Sequence, residues 1–354
     1  MRWIVAAVCA AGGCDAVLGL DTIPPPTVFR KPVSITQDTS STFTMFRLSV
    51  VLSGDPDLTK HASADGSDIL FTDGTTELPS EVVAYDGAGS LEAWVAVPTL
   101  PPGVTTIYLM YGADARTSQP SDVWSKAYVG VWHFSGKSKT ESDSSSHVHT
   151  VTSIGVAPNP TTGLVGEARH FDAVLHDALC GGDADGSLAF ATTDSFTYEA
   201  WVRPTAQTNE YVTLAKGATD TLSAGFDLEV SNGDWEAHFG DGVGAHFITL
   251  MGPLPNAWSQ QVVVVDRGQQ TVSAYIDGAF AMSSSITGFD SPASTEPLCF
   301  GGESDGTFGY GGDFDEASIQ QVVREADWIR FEYENVTERG QVISLGAEQA
   351  QPAD

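Results

Sequence analysis

Most of the residues in this sequence that could do chemistry are acidic, and few are spaced for it. In CGGDADGS, Asp183 and Asp185 stand two apart, and Gly186 allows a sharp turn after them. Calcium takes hard oxygen ligands from carboxylates and backbone carbonyls. The pair is therefore the candidate calcium site, with turn formation as its competing role, and Asp241 in FGDGVG is a weaker instance. Among eight histidines only His147 and His149 form a close pair, on one face if the chain there is extended. Zinc needs three or four ligands, and neither a cysteine nor a second cluster joins this pair. The plain reading of the Ser-rich ESDSSSHVHT is a surface loop. No catalytic residue is assigned on this reading, and the ligand-binding residues stay open.

The N-terminus speaks to location. Arg2 precedes a stretch of roughly nine apolar residues, whereas a bilayer span needs about 20. That length suits the apolar part of a secretory signal. Ala11, Gly12 and Gly13 then precede Cys14. The arrangement resembles a bacterial lipoprotein signal, whose peptidase accepts small residues and cuts before a cysteine that carries lipid. Ala11 stands where such signals usually have leucine. The resemblance implies removal of residues 1–13, lipidation of Cys14 and membrane attachment through that lipid alone. An ordinary signal peptide cut nearby is the alternative. Pro24, Pro25 and Pro26 hold the backbone extended, which makes residues 14–27 a short stiff tether. Of the four cysteines, Cys180 and Cys299 then remain. In an exported protein such a remaining pair reads as one disulfide.

Composition narrows the partners. The chain carries 46 Asp and Glu against 16 Lys and Arg, a formal charge of -30. Nucleic acid is excluded as a partner, because phosphate contacts need clustered Lys and Arg. Anionic lipid would also repel this surface, so any anchoring falls to the lipid on Cys14. A length of 354 residues with 42% apolar content supports two packed domains.

The elements that would position these residues are strands. RLSVVLSG alternates through Leu48, Val50 and Leu52, LEAWVAVP through Leu91, Ala93, Val95 and Val97, and TIYLMYG through Ile107, Leu109 and Tyr111. FTYEAWVRP alternates Phe196, Tyr198, Ala200 and Val202 against Trp201 and its neighbours. FDLEVSNGDWEAHF reads as two strands around Asn232-Gly233, and VSAYIDGAFAM as two around Asp277-Gly278. QQVVVVD, residues 260–266, reads as a strand buried on both faces. READWIRFEYEN lacks Gly and Pro and reads as one helix of about three turns. Trp94 and Trp201 lie opposite the aliphatic sets and read either as outward platforms for a sugar ring or as packing under a loop or on a covered face.

The order of these segments carries a resemblance. FRKPVSI, GSDILFTDGTTELPSEVVAYD and LEAWVAVPTLPPGVTTIYLMYG, within residues 29–112, resemble a bacterial family known only as domain of unknown function 2341. VWHF, DSSSH, GLVGEARHFD, FTYEAWVRP, WSQQVVVVDRGQQTVSAYIDG and GYGGDFDEASI, within residues 131–319, resemble a laminin-G-like jelly roll of the concanavalin A-like lectin/glucanase type. READWIRFEYEN resembles the segment closing this tandem arrangement. The resemblance implies an all-β chain of two antiparallel β-sandwiches in series with a short C-terminal helix. Its expected parts are residues 28–118 as the first sandwich, 119–130 as a linker, 131–348 as the jelly roll with its closing helix, and 349–354 as a tail. Trp132, Trp258 and Trp328 match positions of core type.

Function is less constrained. Laminin-G-like jelly rolls often bind glycans or proteins, sometimes through calcium, and the same fold hosts hydrolases. Laminarinase-like enzymes on it carry Glu-x-Asp-x-x-Glu on one strand. Here Glu141-Ser-Asp143 continues into serines, and Asp313, Asp315 and Glu316 have the wrong spacing. Asp315 and Glu316 read as structural. The expectation is a non-enzymatic, lipid-anchored cell-envelope protein that presents its jelly roll to a glycan or a protein partner. A polysaccharide hydrolase with carboxylates drawn from separate segments is the alternative, and an architectural envelope module is a third reading.

Overall fold

Period-2 alternation becomes paired strands throughout the computed structural model, which describes residues 27–112, 118–124, 127–136, 138–175, 177–206, 209–217, 223–250 and 255–352. The chain is all-β, built as antiparallel sandwiches in series with a short helix near its C-terminus.

The first sandwich packs a six-stranded sheet on a three-stranded one. The larger sheet centres on Thr27–Gln37 and Gly103–Tyr111. The smaller has Leu91–Leu100 between Phe43–Leu52 and Ser80–Tyr85. Leu48, Val50, Ala93, Val95, Ile107 and Leu109 meet in its core, as their alternation predicts.

The second sandwich has two eight-stranded sheets. One contains, in order, Ala245–Leu250, Asp234–Asp241, Ala224–Ser231, Tyr211–Lys216, Leu298–Phe300, Leu179–Gly181, Val151–Ser153 and Thr140–Glu141. The other has Gly312–Gln320 and Phe196–Pro204 at its centre, flanked by Ser259–Asp266. Phe196, Tyr198, Trp132, Phe300 and Phe314 fill the space between the sheets. Both short turns form as read. Asn232 and Gly233 have φ of 54° and 90°, and Asp277 and Gly278 have 52° and 75°, as a two-residue hairpin turn requires. Ser259–Asp266 is covered on both faces: Val263 and Val265 face the sandwich core, while Val262 and Val264 meet Tyr275 and Ile329.

The helix Ala326–Thr337 belongs to both sandwiches. Trp328 and Phe331 enter the first core, Ile329 covers the second sandwich, and Val336 joins the residues between them. Asn335 accepts from the Ser49 backbone N–H at 2.8 Å and donates to the Ser49 carbonyl at 3.2 Å. The chain then returns to the first sandwich. Ile343–Leu345 and Gln349–Pro352 both pair with Thr27–Gln37. Residues 349–352, read from the sequence as part of a tail, are thus a paired strand, and the helix read as closing the jelly roll packs on both sandwiches. An open strand edge offers unpaired N–H and C=O groups, and the returning segment satisfies them.

The joint between the sandwiches is polar and closed. The His133 imidazole bonds Glu316 Oε2 at 2.8 Å in the second sandwich and Glu81 Oε2 at 3.3 Å in the first. Glu81 also accepts from Trp124 Nε1 at 2.5 Å and Ser144 Oγ at 2.8 Å. Burial opposes charge on His133, but the two flanking carboxylates hold its pKa well above the usual value. Burial also works against the Glu81 carboxylate, yet His133 and its other donors hold it below its usual range. Neighbouring acids shift the other way. Burial, then the nearby Glu316 charge, pushes Glu92 up to about 8. Burial pushes Glu199 up to about 7 despite bonds from Gln260 and Trp201. Gly166, at φ +72°, lies directly against the Glu92 carboxylate, where a Cβ would fall 1.7 Å from Oε2. The remaining cavity between Trp94, Trp201 and Glu332 is about 20 Å³, room for about one water.

Three outcomes follow from this packing. Phe331→Ala, at a fully packed site, should lower unfolding free energy by about 3–5 kcal/mol in urea melts. From about pH 4.5 up to about 7 for Glu199 and about 8 for Glu92, the folded state holds a proton that the unfolded chain has released. Stability should therefore fall as pH rises across this window, at about 1.4 kcal/mol per unit for each proton fully retained. The raised pKa of His133 acts with the same sign. Thermal melts should show this slope, and Glu92→Gln should flatten it; a flat wild-type profile would contradict the buried-acid account. Gly166→Ala should destabilise by more than its side chain's size suggests, through both the φ and the Glu92 contact.

Candidate functional site

The structure sorts the residues singled out in the sequence. Cys14 lies outside the described residues. Cys180 and Cys299 are direct cross-strand neighbours and form a disulfide across a sequence separation of 119. Leu179, Leu298 and Phe300 beside them point into the core, so the disulfide sits on the outer face of its sheet. The two proposed calcium ligands part company. The Asp183 carboxylate accepts from the Leu188 N–H at 3.3 Å and its carbonyl accepts from the Gly186 N–H at 3.4 Å, so this residue shapes a turn. Asp185 instead faces the His147 imidazole at 2.7 Å. Asp241 accepts from three backbone N–H groups, of Val243, Gly244 and Asp290, and is likewise a turn former.

The tryptophan expectations change in part. Trp94 and Trp201 are not outward platforms; they are 5% and 2% exposed and lie in the joint with Trp124, Tyr128 and Val336. The first sandwich and the helix cover the face that each would have presented. Trp132 and Trp328 are buried as read, but Trp258 is only half-buried, with the Arg203 guanidinium 5.0 Å from its ring centre. Asp315 accepts from the Val165 and Leu164 N–H groups and Glu316 holds His133, both buried. Glu141 pairs with Arg169, and Asp143 accepts from the Val131, Ser145 and His149 N–H groups. None of these forms an open carboxylate pair.

An acidic row on the outer face of the disulfide-bearing sheet is what the sequence reading missed. The strands Ala224–Ser231 and Asp234–Asp241 place Asp227 opposite His238 and Glu229 opposite Glu236. Phe226, Leu228 and Val230 alternate with them into the core. His238 Nδ1 bonds Asp227 Oδ2 at 3.0 Å, and the His238 N–H donates to Asp227 Oδ1 at 3.3 Å. Both are buried; Glu229 and Glu236 are half-buried. Thr249 Oγ1 on the next strand donates to Glu236 Oε1 at 3.3 Å. Burial first, and then the charges of Asp227, Glu236, Glu210 and Glu303, push Glu229 up to about 8. Burial also raises Glu236.

The signal was in the text. A two-residue Asn-Gly turn fixes hairpin register. Counting outward from it pairs Asp-x-Glu on one strand with Glu-x-His on the other. Chemically, a carboxylate accepts two hydroxyl hydrogens at once, and a carboxyl kept protonated near neutral pH can donate. The row therefore offers both functions to a polyol.

No match to this chain was found among curated proteins. Residues 182–330 match the family model described as the concanavalin A-like lectin/glucanases superfamily. Among solved structures, the binding domain of Paraclostridial Mosquitocidal Protein 1 superposes with a TM-score of 0.50 at 15% identity, over 61% of this chain and 53% of that one. The binding domain of botulinum neurotoxin serotype G gives a TM-score of 0.48 at 16% identity, over 58% and 50% of the two chains. This chain thus spans about half the length of the solved structures it matches, and at such identities the likeness concerns the fold alone. Residues 182–330 carry a laminin-G-like domain of the concanavalin A type.

Proposed function

We propose that this is a non-enzymatic, exported protein, held to a membrane by lipid on Cys14, whose second sandwich binds a glycan through the outer face of its disulfide-bearing sheet. The observation that carries the binding site is the cross-strand pairing of Glu229 with Glu236 beside Asp227 and His238. Sugars present vicinal hydroxyls, and half-buried carboxyl groups in a row match them. The joint occupies the outer face of the second sandwich's other sheet, while on this face Glu229 and Glu236 stay half-exposed. The Cys180–Cys299 disulfide supports an oxidising location. The similar domain of Paraclostridial Mosquitocidal Protein 1 is a binding domain, which agrees with a binding role.

A second reading rests on one feature of the same row. Glu229 is pushed up to about 8 beside a second carboxylate, and a glycosidase uses such a protonated carboxylic acid as proton donor opposite a charged partner. The two readings part on product formation.

The test is retention on a polysaccharide panel, with calcium and with chelator, assayed together with release of reducing sugar. The expected result is retention without release. Glu229→Gln and Glu236→Gln should bracket the role of the pair: loss of one charged hydrogen bond of about 1.5–3 kcal/mol weakens binding roughly tenfold or more. If protonated Glu229 donates, wild-type retention should also weaken as pH rises through about 8. Sugar release abolished by either variant would favour the hydrolase. No retention and no release would leave a protein partner or an architectural role. Labelled fatty acid on wild type but not on Cys14→Ala tests the anchor separately.

A further inference from the structure

Beyond the glycan-binding reading, and independent of it, the structure assigns a divalent transition-metal site to His147, His149 and Asp185. We propose zinc as its ion. The ligating atoms of the three residues all lie within 4.8 Å of one another, the one such group of His, Cys, Asp and Glu among the described residues. The carboxylate turns one oxygen to each ring: Asp185 Oδ2 lies 2.7 Å from His147 Nδ1, and Oδ1 lies 3.5 Å from His149 Nε2. The two imidazoles stand nearly parallel, with centroids 5.8 Å apart and planes 7° apart. An ion pair explains one histidine beside an aspartate. Two imidazoles aimed at opposite oxygens of one carboxylate form the start of a coordination shell, since tetrahedral ligands about 2.0–2.2 Å from zinc lie within this mutual range.

Hydrogen bonds to the core and within the two loops hold the cluster in place. Asp143 accepts from the His149 N–H at 2.8 Å and from the Ser145 N–H at 2.7 Å, which fixes the turn carrying the histidines. The His149 carbonyl accepts from Trp132 Nε1, inside the core, at 2.9 Å. Between the histidines, Val148 has φ of 61° with its side chain exposed. That conformation is rare for a β-branched residue and persists only where surrounding contacts impose it. On the other loop, the Ser187 N–H donates to Asp185 Oδ1 at 3.0 Å, and Cys180 pins the strand just before it. Ser187 Oγ stands 2.7 Å from His149 Nε2, placed either to hold that ring or to yield to an ion.

The donor set decides the metal class. Calcium and magnesium take oxygen ligands, whereas two imidazole nitrogens and a carboxylate suit zinc and its neighbours. Three protein ligands leave a fourth position, and the half-exposed His147 and exposed Asp185 open it to solvent. The ion would tie the loop at residues 143–149 to the loop at 182–188, closing one end of the disulfide-bearing sheet.

The test uses the purified full chain, stripped with chelator and titrated with Zn(II) by calorimetry, with Co(II) as a spectroscopic probe. One equivalent should bind, the Co(II) complex should show the intense visible bands of low-symmetry four-coordination, and excess calcium should not displace either ion. His147→Ala and Asp185→Asn, at exposed positions that leave the core intact, should each weaken zinc binding by about tenfold or more, while Asp183→Asn should leave it unchanged. Circular dichroism of each variant checks that it folds. Absence of stoichiometric zinc binding, equal binding by both variants, or displacement by calcium would overturn the assignment.

Discussion

The His133 bridge between Glu81 and Glu316 is the contact on which the arrangement turns. A buried carboxylate far from water is costly unless paired, and each sandwich alone would bring such a group to its surface. Placed together around one imidazole, two carboxylates and a cation satisfy each other. The same joint encloses Glu92, Glu199 and Glu332, and burial raises the pKa of each despite the nearby Arg47, Arg324 and Arg339. The joint is thus a mixed device: one charged bridge that orients the sandwiches, and several acids of raised pKa tolerated around it.

That joint decides what the second sandwich can present. Its central sheet is covered by the first sandwich at Trp94 and Trp124 and by the helix at Ile329 and Val336. Trp94, Trp124 and Trp201 are consumed there as packing. The remaining outer face belongs to the other sheet and carries Asp227, His238, Glu229, Glu236 and the disulfide.

The helix explains why domain limits were only partly legible. Its sequence shows length and absence of breakers, and the 12-residue helix formed as read. What it does not show is that Trp328 and Phe331 serve one core while Ile329 serves another. Two apolar stripes on one helix look the same in the text as a single broad one. The strand Gln349–Pro352 was hidden for a related reason: AEQAQPAD has no apolar alternation, and its pairing rests on backbone groups offered by a strand more than 300 residues away in sequence.

Local physics was written in the sequence. Alternation fixed which side of each strand meets the core, and Asn232-Gly233 and Asp277-Gly278 fixed their hairpins, because period-2 geometry and positive φ are properties of a few adjacent residues. The register that pairs Glu229 with Glu236 follows from the same turn and could have been counted. The pairing of Cys180 with Cys299 was readable by elimination. Only the tertiary structure decided that Trp94 and Trp201 are buried, that Asp183 and Asp185 have separate roles, and that Asp185 joins His147 and His149. Those outcomes depend on which surfaces meet and which loops lie side by side. They are set by contacts between segments distant along the chain, about which local spacing carries no information.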